Sequence, residues 1–482
     1  MAKEILVNVE LEEKQAAIIK GGLLDEYYIE RPGDKTIVGN IYKGRIETIV
    51  PTIGAAFVDI GLEKNGFLYL SDIAEHIEPI ATIETKKREF HKGEEVLVQV
   101  VKEPISTKGP RLTTHIGLAG RYLVLMPQDP HRGASRRIEE REEKTRLLGL
   151  LEELKIPTDI GYIVRTVAEK KSKKELQRDI LFLLKLWNRI SAFAQKSSAP
   201  ALIYEDYDVV LRVIRDSFDD EVDKLYVDSK EEHKRICNFL RVFSNDLTKR
   251  IEYYRPKRNI FADKNIEKQI DRIYERKVFL KSGAYLVIDP TEGLVVIDVN
   301  SGRFRKRMDP EHMALAVNSE AAQEVARQLR LRDLGGIIVI DFIDMERENH
   351  RRDVLRILKS SLKDDRAKYE ILGISKFGVV EMTRERVYRT IESLSYADCP
   401  YCHGRGRIKS VSTMCIWILK EIKRMLSENP DKRELQVSAN PEVVNEIVRD
   451  NEKSIQTLER QYRAKIGFSL APNAHIEEVK IV

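Results

Sequence analysis

Leu294-Val295-Val296-Ile297-Asp298-Val299-Asn300-Ser301-Gly302 reads as a buried strand that ends in polar groups. Side chains alternate along a strand, so Asp298 and Asn300 share one face while Val299 points to the other. The run Gly335-Gly336-Ile337-Ile338-Val339-Ile340-Asp341-Phe342-Ile343-Asp344 repeats the theme. A long helix is predicted over residues 311–332, between the two. Apolar strands separated by a helix make residues 277–395 an α/β pattern. In open α/β sheets ligands gather beyond the carboxyl ends of the strands. Two strands that each deliver an Asp there build a two-carboxylate site, and Mg²⁺ is held in this manner, with waters and a substrate phosphate completing its shell.

Basic residues follow both carboxylates. Arg303, Arg305, Lys306 and Arg307 come after the first, and Arg347, Arg351 and Arg352 after the second. Acid at a strand end with base just beyond it suits the cutting of a polyanion, because the cations hold phosphates while a metal polarises one of them. The plainer alternative is a pair of Asp side chains capping turns after buried strands, as Asp289 before Pro290 suggests.

Composition sets the frame. With 482 residues the chain exceeds one compact core, and three or four domains are expected. It is 42% hydrophobic and 33% charged, the balance of a soluble globular protein. Its 83 Lys plus Arg against 78 Asp plus Glu leave a net charge of +5, too mild to argue for nucleic acid without local clusters. The first residues carry no basic region followed by an apolar core, and no apolar run approaches the ~20 residues of a membrane span. Four cysteines in a chain this long make no disulfide framework, and the expected compartment is the cytosol.

Toward the N-terminus the pattern is strand-rich. Strands are expected at residues 4–9 and 15–20, then at 37–49, 55–60, 65–69 and 95–102, punctuated by glycines at 39, 44, 54, 61 and 66. Short strands with glycine bends over 36–115 suggest a small closed barrel. Phe57 and Phe67 each sit on a glycine-flanked strand, with Lys43, Arg45, Lys64 and Lys108 near in sequence. Aromatic rings ringed by cations suit single-stranded RNA, whose bases stack for roughly 1–3 kcal/mol each. The competing expectation is that both rings are core, Phe57 more than Phe67. Helices are predicted at 136–155 and 173–195, the second carrying Leu176, Ile180, Leu183, Leu184 and Trp187 on one stripe. Strands and helices alternate over 207–275 and again after 410.

Ala397-Asp398-Cys399-Pro400-Tyr401-Cys402-His403-Gly404-Arg405-Gly406 holds two thiols two residues apart in a glycine-backed turn. That is half of a tetrahedral zinc site, and Cys237 and Cys415 are isolated. The missing ligands are His403 with a further residue, or the same pair from a second copy of the chain. A redox pair or two free thiols is the alternative.

Several runs carry a resemblance beyond these local readings. They are Ile41-Tyr42-Lys43-Gly44, Ala55-Ala56-Phe57-Val58-Asp59, Tyr122 to Pro127, Ser135-Arg136-Arg137-Ile138, Ile297-Asp298-Val299-Asn300-Ser301, Arg327 to Gly336, Ile340 to Met345 and the cysteine motif. In that order, and over nearly the whole chain, they resemble the RNase E/G family of bacterial endoribonucleases. The resemblance implies a multidomain α/β protein. An OB-fold β-barrel over 36–115 would be inserted in an RNase H-like domain made of 1–35 and 209–275. A 5′-phosphate sensor region would occupy 116–208, a DNase I-like α/β catalytic domain 276–396, a zinc link 397–409, and a small α/β C-terminal dimerisation domain 410–482.

The resemblance also implies roles. Asp298 and Asp341 would bind the catalytic Mg²⁺, and Asn300 would orient the ligands or the scissile phosphate. Phe57, Phe67 and Lys108 would hold single-stranded RNA, while Arg165, Thr166 and Lys376 would bind a 5′-monophosphate. At Lys376-Phe377-Gly378 the family has Arg before Phe-Gly, and lysine brings charge without a bidentate fork. Cys399 and Cys402 would hold a structural Zn²⁺ shared between protomers, making a homodimer, with a tetramer left open. The implied activity is Mg²⁺-dependent cutting of single-stranded, A/U-rich RNA to 3′-hydroxyl and 5′-monophosphate ends. A 5′-monophosphate would stimulate it, and rRNA precursors and mRNA would be the cytoplasmic substrates. Two other classes stand beside this one: a non-catalytic RNA-binding scaffold, and an enzyme acting on DNA or nucleotides through the same metal site.

Overall fold

The computed structural model describes residues 2–11, 13–33, 35–72, 91–104, 108–243, 245–255, 258–291, 293–304, 308–375, 378–386, 395–397 and 399–482. The chain divides into two compact units, Met1–Leu394 and Ser395–Val482.

In the first unit, the strands Lys3–Glu10, Glu13–Lys20 and Leu23–Glu30 form an antiparallel meander. Lys3–Glu10 then pairs in parallel with Val222–Val227, which pairs with Ile251–Tyr253. One sheet is thus closed by segments roughly two hundred residues apart, and the barrel and the small sheet that follows it are inserted between Leu23–Glu30 and the helix Val209–Ser217. The successive residues Ile5, Leu6 and Val7 are all buried. Both faces are covered, Ile5 and Val7 by the helix Val209–Ser217 and Leu6 by Ile260, Phe261 and Ile266. A two-sided burial produces such a continuous apolar run. The strand Leu23–Glu30 escaped the sequence reading because Asp25 and Glu26 depress strand propensity. The fold neutralises Asp25 with Arg330 at 2.6 Å and Lys20 at 3.1 Å.

The inserted barrel is built from Ile41–Val50, Ala55–Asp59, Gly66–Tyr69, Arg111–Thr113 and Glu95–Lys102 in that spatial order, and pairing of the first with the last closes it. Ala201–Tyr204 adds a further strand beside Ile41–Val50. Ile46, Ala56, Val58, Leu68, Val98 and Leu112 fill the interior. Gly66 leaves room for its neighbour strand: a Cβ there would lie 2.4 Å from Leu112 Cδ1 inside the filled barrel. A small sheet of Arg132–Ala134, Gly161–Val164, Leu123–Met126 and Leu118–Ala119 follows. Its core is shared with the helices Arg141–Glu152 and Lys173–Lys196. The first helix begins later than predicted, since Ile138 N–H is turned back onto Ser135 C=O. On the second, Leu176, Ile180 and Leu183 are buried, while Leu184 and Trp187 are partly so. Its Asp179 is buried and accepts the N–H groups of Arg121, Tyr122 and Leu123.

A six-stranded sheet completes this unit, in the order Lys277–Phe279, Tyr285–Pro290, Leu294–Asn300, Gly336–Asp341, Val379–Arg384, Tyr369–Ile374. The helices Pro310–Leu331 and Glu348–Ser361 cover one face through Val317, Ala321, Val325, Val354 and Leu358. The long helix stops at Asp333, which adopts φ 46°. Buried Arg384 grips Asp333 and the Leu334 carbonyl, each at 2.8 Å, and binds Asp365. Gly336, at φ 96°, then starts the strand that ends in Asp341.

The second unit pairs Glu434–Ala439 in parallel with Lys465–Leu470 and antiparallel with Val479–Ile481. The helices Val411–Glu428, Pro441–Asp450 and Glu452–Tyr462 share its core. No helix among the described residues is long and apolar enough to cross a membrane.

Candidate active site

Alternation along Leu294–Asn300 sends Val295, Ile297 and Val299 into the core and leaves Asp298 exposed on the opposite face. Asp341 ends Gly336–Asp341 in the same way, outward beside buried Ile340. In the parallel pairing of the two strands Asp298 and Asp341 are direct register partners. The Asn300 amide donates to Asp298 at 2.7 Å, which fixes that carboxylate. Asp298, Asn300 and Asp341 therefore meet at the carboxyl ends of two adjacent parallel strands, on the face away from the helices.

Burial first, then the neighbouring Asp298 and Asp344 carboxylates, push the Asp341 carboxyl above the ordinary carboxylate range. Crowded acids of this kind are relieved by a cation, and an all-oxygen donor set suits a hard one such as Mg²⁺. Among the described residues no three His, Cys, Asp or Glu groups converge into a full cage.

The loop after Asp341 is pinned from the long helix. Asn318, wholly buried, donates to the Ile343 carbonyl at 2.7 Å and accepts the Ile343 N–H at 3.0 Å. Glu311 accepts the N–H groups of Glu346 and Arg347 and pairs with His350 at 2.7 Å. Neither residue stood out in the sequence. The signal for Asn318 was its place among Ala314, Val317, Ala321 and Ala322, a polar residue on an apolar helix face. Of the flanking cations, Arg303 and Arg347 are exposed, Arg351 donates to the Met345 carbonyl, and Arg305, Lys306 and Arg307 lie outside the described residues.

On the barrel, Phe57 and Phe67 are register partners on adjacent strands, and both rings lie half-buried on the outer surface. The expectation that Phe57 is core is corrected: alternation gives the interior to Ala56 and Val58 and turns Phe57 outward. The two rings pack edge to face at 5.7 Å, Phe67 packs on Tyr69 at 4.7 Å, and the Arg111 guanidinium sits 4.8 Å from the Tyr69 ring centre. Tyr69 and Arg111 were missed, although Tyr69 shares a face with Phe67 at spacing two. Lys108 is exposed. Lys43 and Arg45 are not part of this surface. Lys43 binds Glu95 and the Ser197 carbonyl, each at 2.8 Å, and Arg45 binds the Ala199 carbonyl.

The sequence matches models of known families over most of its length: the Ribonuclease E/G family over residues 117–387, the S1 RNA binding domain over 35–114, and the RNase E/G thioredoxin-like domain over 398–482. The chain is 40% identical to Ribonuclease G of Escherichia coli (strain K12) over 489 aligned positions that cover all of both chains. The chain belongs to the ribonuclease E/G family. It is 40% identical to Ribonuclease G of Haemophilus influenzae over 88% of each chain. Against Ribonuclease E of the same species it is 37% identical, over 98% of this chain and 51% of that one. Membership makes the chain an enzyme, an endoribonuclease, with an S1-type OB barrel that binds RNA, a ribonuclease E/G catalytic region and a thioredoxin-like C-terminal domain.

Within this family member, Arg165 is half-buried and already engaged. It donates to the Gly120 carbonyl at 2.7 Å and to Asp216 at 2.6 Å. Burial alone would raise the Asp216 carboxyl, but Arg215, Arg165 and Arg366 together hold it well below its usual range. Thr166 opens a 3₁₀ turn directly after Arg165. Lys376, the third residue expected beside them, lies outside the described residues.

In the second unit Cys399 is exposed and Cys402 partly so. Hydrogen bonds from the Cys402 and Tyr401 backbone hold the Cys399 thiol below its ordinary range. Cys402 Sγ accepts the Gly406 N–H at 3.3 Å. His403 at φ 51°, Gly404 at φ 76° and Gly406 at φ 69° take the left-handed conformation that tightens the turn after the cysteines. At Cys399 those bonds favour the thiolate, the form that binds zinc.

Proposed function

We propose that the chain is a Mg²⁺-dependent endoribonuclease that cuts single-stranded, A/U-rich RNA, leaving 3′-hydroxyl and 5′-monophosphate ends. The single observation that carries this reading is the register pairing of Asp298 with Asp341, with Asn300 bonded to Asp298 and all three on the open face of the sheet. Mg²⁺ bound by the two carboxylates would polarise the scissile phosphate and raise the acidity of a bound water. Asn300 holds the Asp298 carboxylate in one orientation, and Asn318 holds the loop that carries Asp344. Exposed Arg303 and Arg347 attract the RNA backbone. Water oxygen bonds to phosphorus as the bond to O3′ breaks in line, so the phosphate stays on the 5′ end of the downstream product.

The outer aromatics Phe57 and Phe67, with Lys108, hold unpaired bases on the barrel. A duplex hides those base faces, hence the preference for single strands. Arg165, Thr166 and Lys376 would bind a 5′-monophosphate. Because Arg165 is already bonded to Asp216 and Lys376 lacks a fork, the stimulation is modest. The sheet split between residues 1–35 and 209–275 is read as RNase H-like, and 276–396 as DNase I-like. Cys399 and Cys402 supply half of a zinc site shared between two copies, so the working form is a homodimer or a pair of dimers, and Cys399→Ser sediments as monomer. The substrates are rRNA precursors and mRNA in the cytoplasm.

The test is cleavage of matched RNA and DNA oligomers of one A/U-rich sequence, bearing a 5′-monophosphate or a 5′-hydroxyl, with product ends mapped. Internal Mg²⁺-dependent cuts in RNA alone are expected, somewhat faster with the monophosphate. RNA bound without cutting would favour the scaffold reading, and equal cutting of DNA would favour a less selective nuclease.

A further inference from the structure

The open face of the catalytic sheet continues past the carboxylates toward its edge. Tyr285 lies directly opposite Asn300, and Phe279, on the outermost strand, lies directly opposite Tyr285. Neighbouring strands are about 4.8 Å apart, which puts the two rings about 5 and 10 Å from Asn300, the span of a nucleotide or two. Phe279 is 67% exposed, a large ring held in water where a side chain of almost any kind would fit. The Lys277 ammonium sits 3.4 Å from the Tyr285 ring centre and 5.2 Å from that of Phe279. The rings are 6.1 Å apart and tilted by 56°, so they do not cover each other. In register, Lys277 stands opposite Val287, which stands opposite Asp298. Rings and cation thus run as one strip into the site.

We propose that Phe279 and Tyr285, with Lys277, form a stacking ledge that grips the base of a nucleotide next to the scissile phosphate and so sets where the strand is cut. The inference rests on reading Asp298 and Asp341 as the cutting site. A base stacks on the free face of Phe279, and Lys277 turns from the rings to the adjoining phosphate. Stacking accepts every base but favours the larger purine ring, so an adenine is preferred at that position. The barrel aromatics hold RNA for binding. The ledge positions one base relative to the metal ligands.

The test uses the full chain carrying Asp298→Asn, which holds RNA without turnover, and an RNA with 2-aminopurine placed in turn at each position flanking the mapped cut. One position is expected to be quenched by stacking, the quench being lost in Phe279→Ala and regained in Phe279→Tyr. In the cutting enzyme, Phe279→Ala and Tyr285→Leu should raise KM about tenfold with kcat within about threefold. Phe279 lies outside the core, so its truncation leaves folding intact, and circular dichroism checks this. An unchanged quench and unchanged KM in both variants would overturn the ledge. So would a fall in sedimentation coefficient on Phe279→Ala, which would mark a contact between copies. If the parent enzyme does not cut RNA, the metal-site reading fails by itself, while 2-aminopurine scanned through every position of the bound RNA, with Phe279→Ala beside it, still decides the ledge.

Discussion

The barrel and the catalytic sheet use the same device to opposite ends. Each spends the inward positions of its strands on core and the outward positions on function. On the barrel the outward groups are Phe57, Phe67 and Tyr69, which satisfy one another edge to face. On the sheet they are Asp298 and Asp341, which repel. The aromatic surface is complete before any ligand arrives, and the carboxylate surface is not. Binding of RNA and cutting of RNA should therefore separate cleanly under mutation, metal removal and pH.

The widest separation comes from Asp341→Asn. The account expects kcat to fall on the order of a thousandfold with RNA affinity unchanged within about twofold, as read by single-turnover cleavage and filter binding. A parallel loss of both would merge the two surfaces. The converse change, Phe57→Ala with Phe67→Ala, removes rings worth about 1–3 kcal/mol per stacked base. KM should rise ten- to a hundredfold, roughly, with kcat nearly unchanged and Mg²⁺ dependence as in the parent. An equal fall in kcat would place the barrel in the chemistry.

A smaller effect tests how the carboxylates are held. Asn318→Ala removes the partner of the part-buried Ile343 N–H and carbonyl, which costs about 1–3 kcal/mol of stability. It also loosens the loop behind Asp341. The Mg²⁺ concentration for half-maximal rate should rise about tenfold, as for other groups that orient metal ligands. A lowered melting temperature with an unaltered Mg²⁺ requirement would make Asn318 a purely structural residue.

The mildest lever is pH. Asp341 holds its proton to a higher pH than an ordinary carboxyl. Proton and Mg²⁺ compete for it, so the cleavage rate falls as pH drops through that raised value, and added Mg²⁺ moves the midpoint lower. RNA binding, which depends on aromatic rings and arginines, stays flat over the same interval. A midpoint indifferent to Mg²⁺ would detach Asp341 from the metal.

Asp298, Asn300 and Asp341 were legible because period-two alternation and acid at the end of an apolar run are local signals. The barrel was legible from its glycines and short strands. What escaped depends on contacts distant in sequence. Leu23–Glu30 carries Asp25 in a buried position, and one of the two cations that pair with it, Arg330, lies three hundred residues on. Arg111 joins the aromatic surface only through the parallel pairing of its strand with Gly66–Tyr69. For Phe57 the core and the surface readings stood side by side, and only the strand's alternation in the fold turns the ring outward. Arg165 was found as a residue, but its engagement with Asp216 became visible only in the fold.

If Asp298 and Asp341 bind the metal, replacing either carboxylate with a softer ligand should change which ion supports cutting. The measurement that tests this most directly is cleavage of one A/U-rich RNA by Asp298→Cys and Asp341→Cys proteins in Mg²⁺ and in Mn²⁺. Thiolate is a poor ligand for the hard ion and an acceptable one for the softer. The account predicts that both variants are inactive with Mg²⁺ and recover cutting with Mn²⁺, while the Asn variants recover with neither. Full activity of either Cys variant in Mg²⁺ would contradict it.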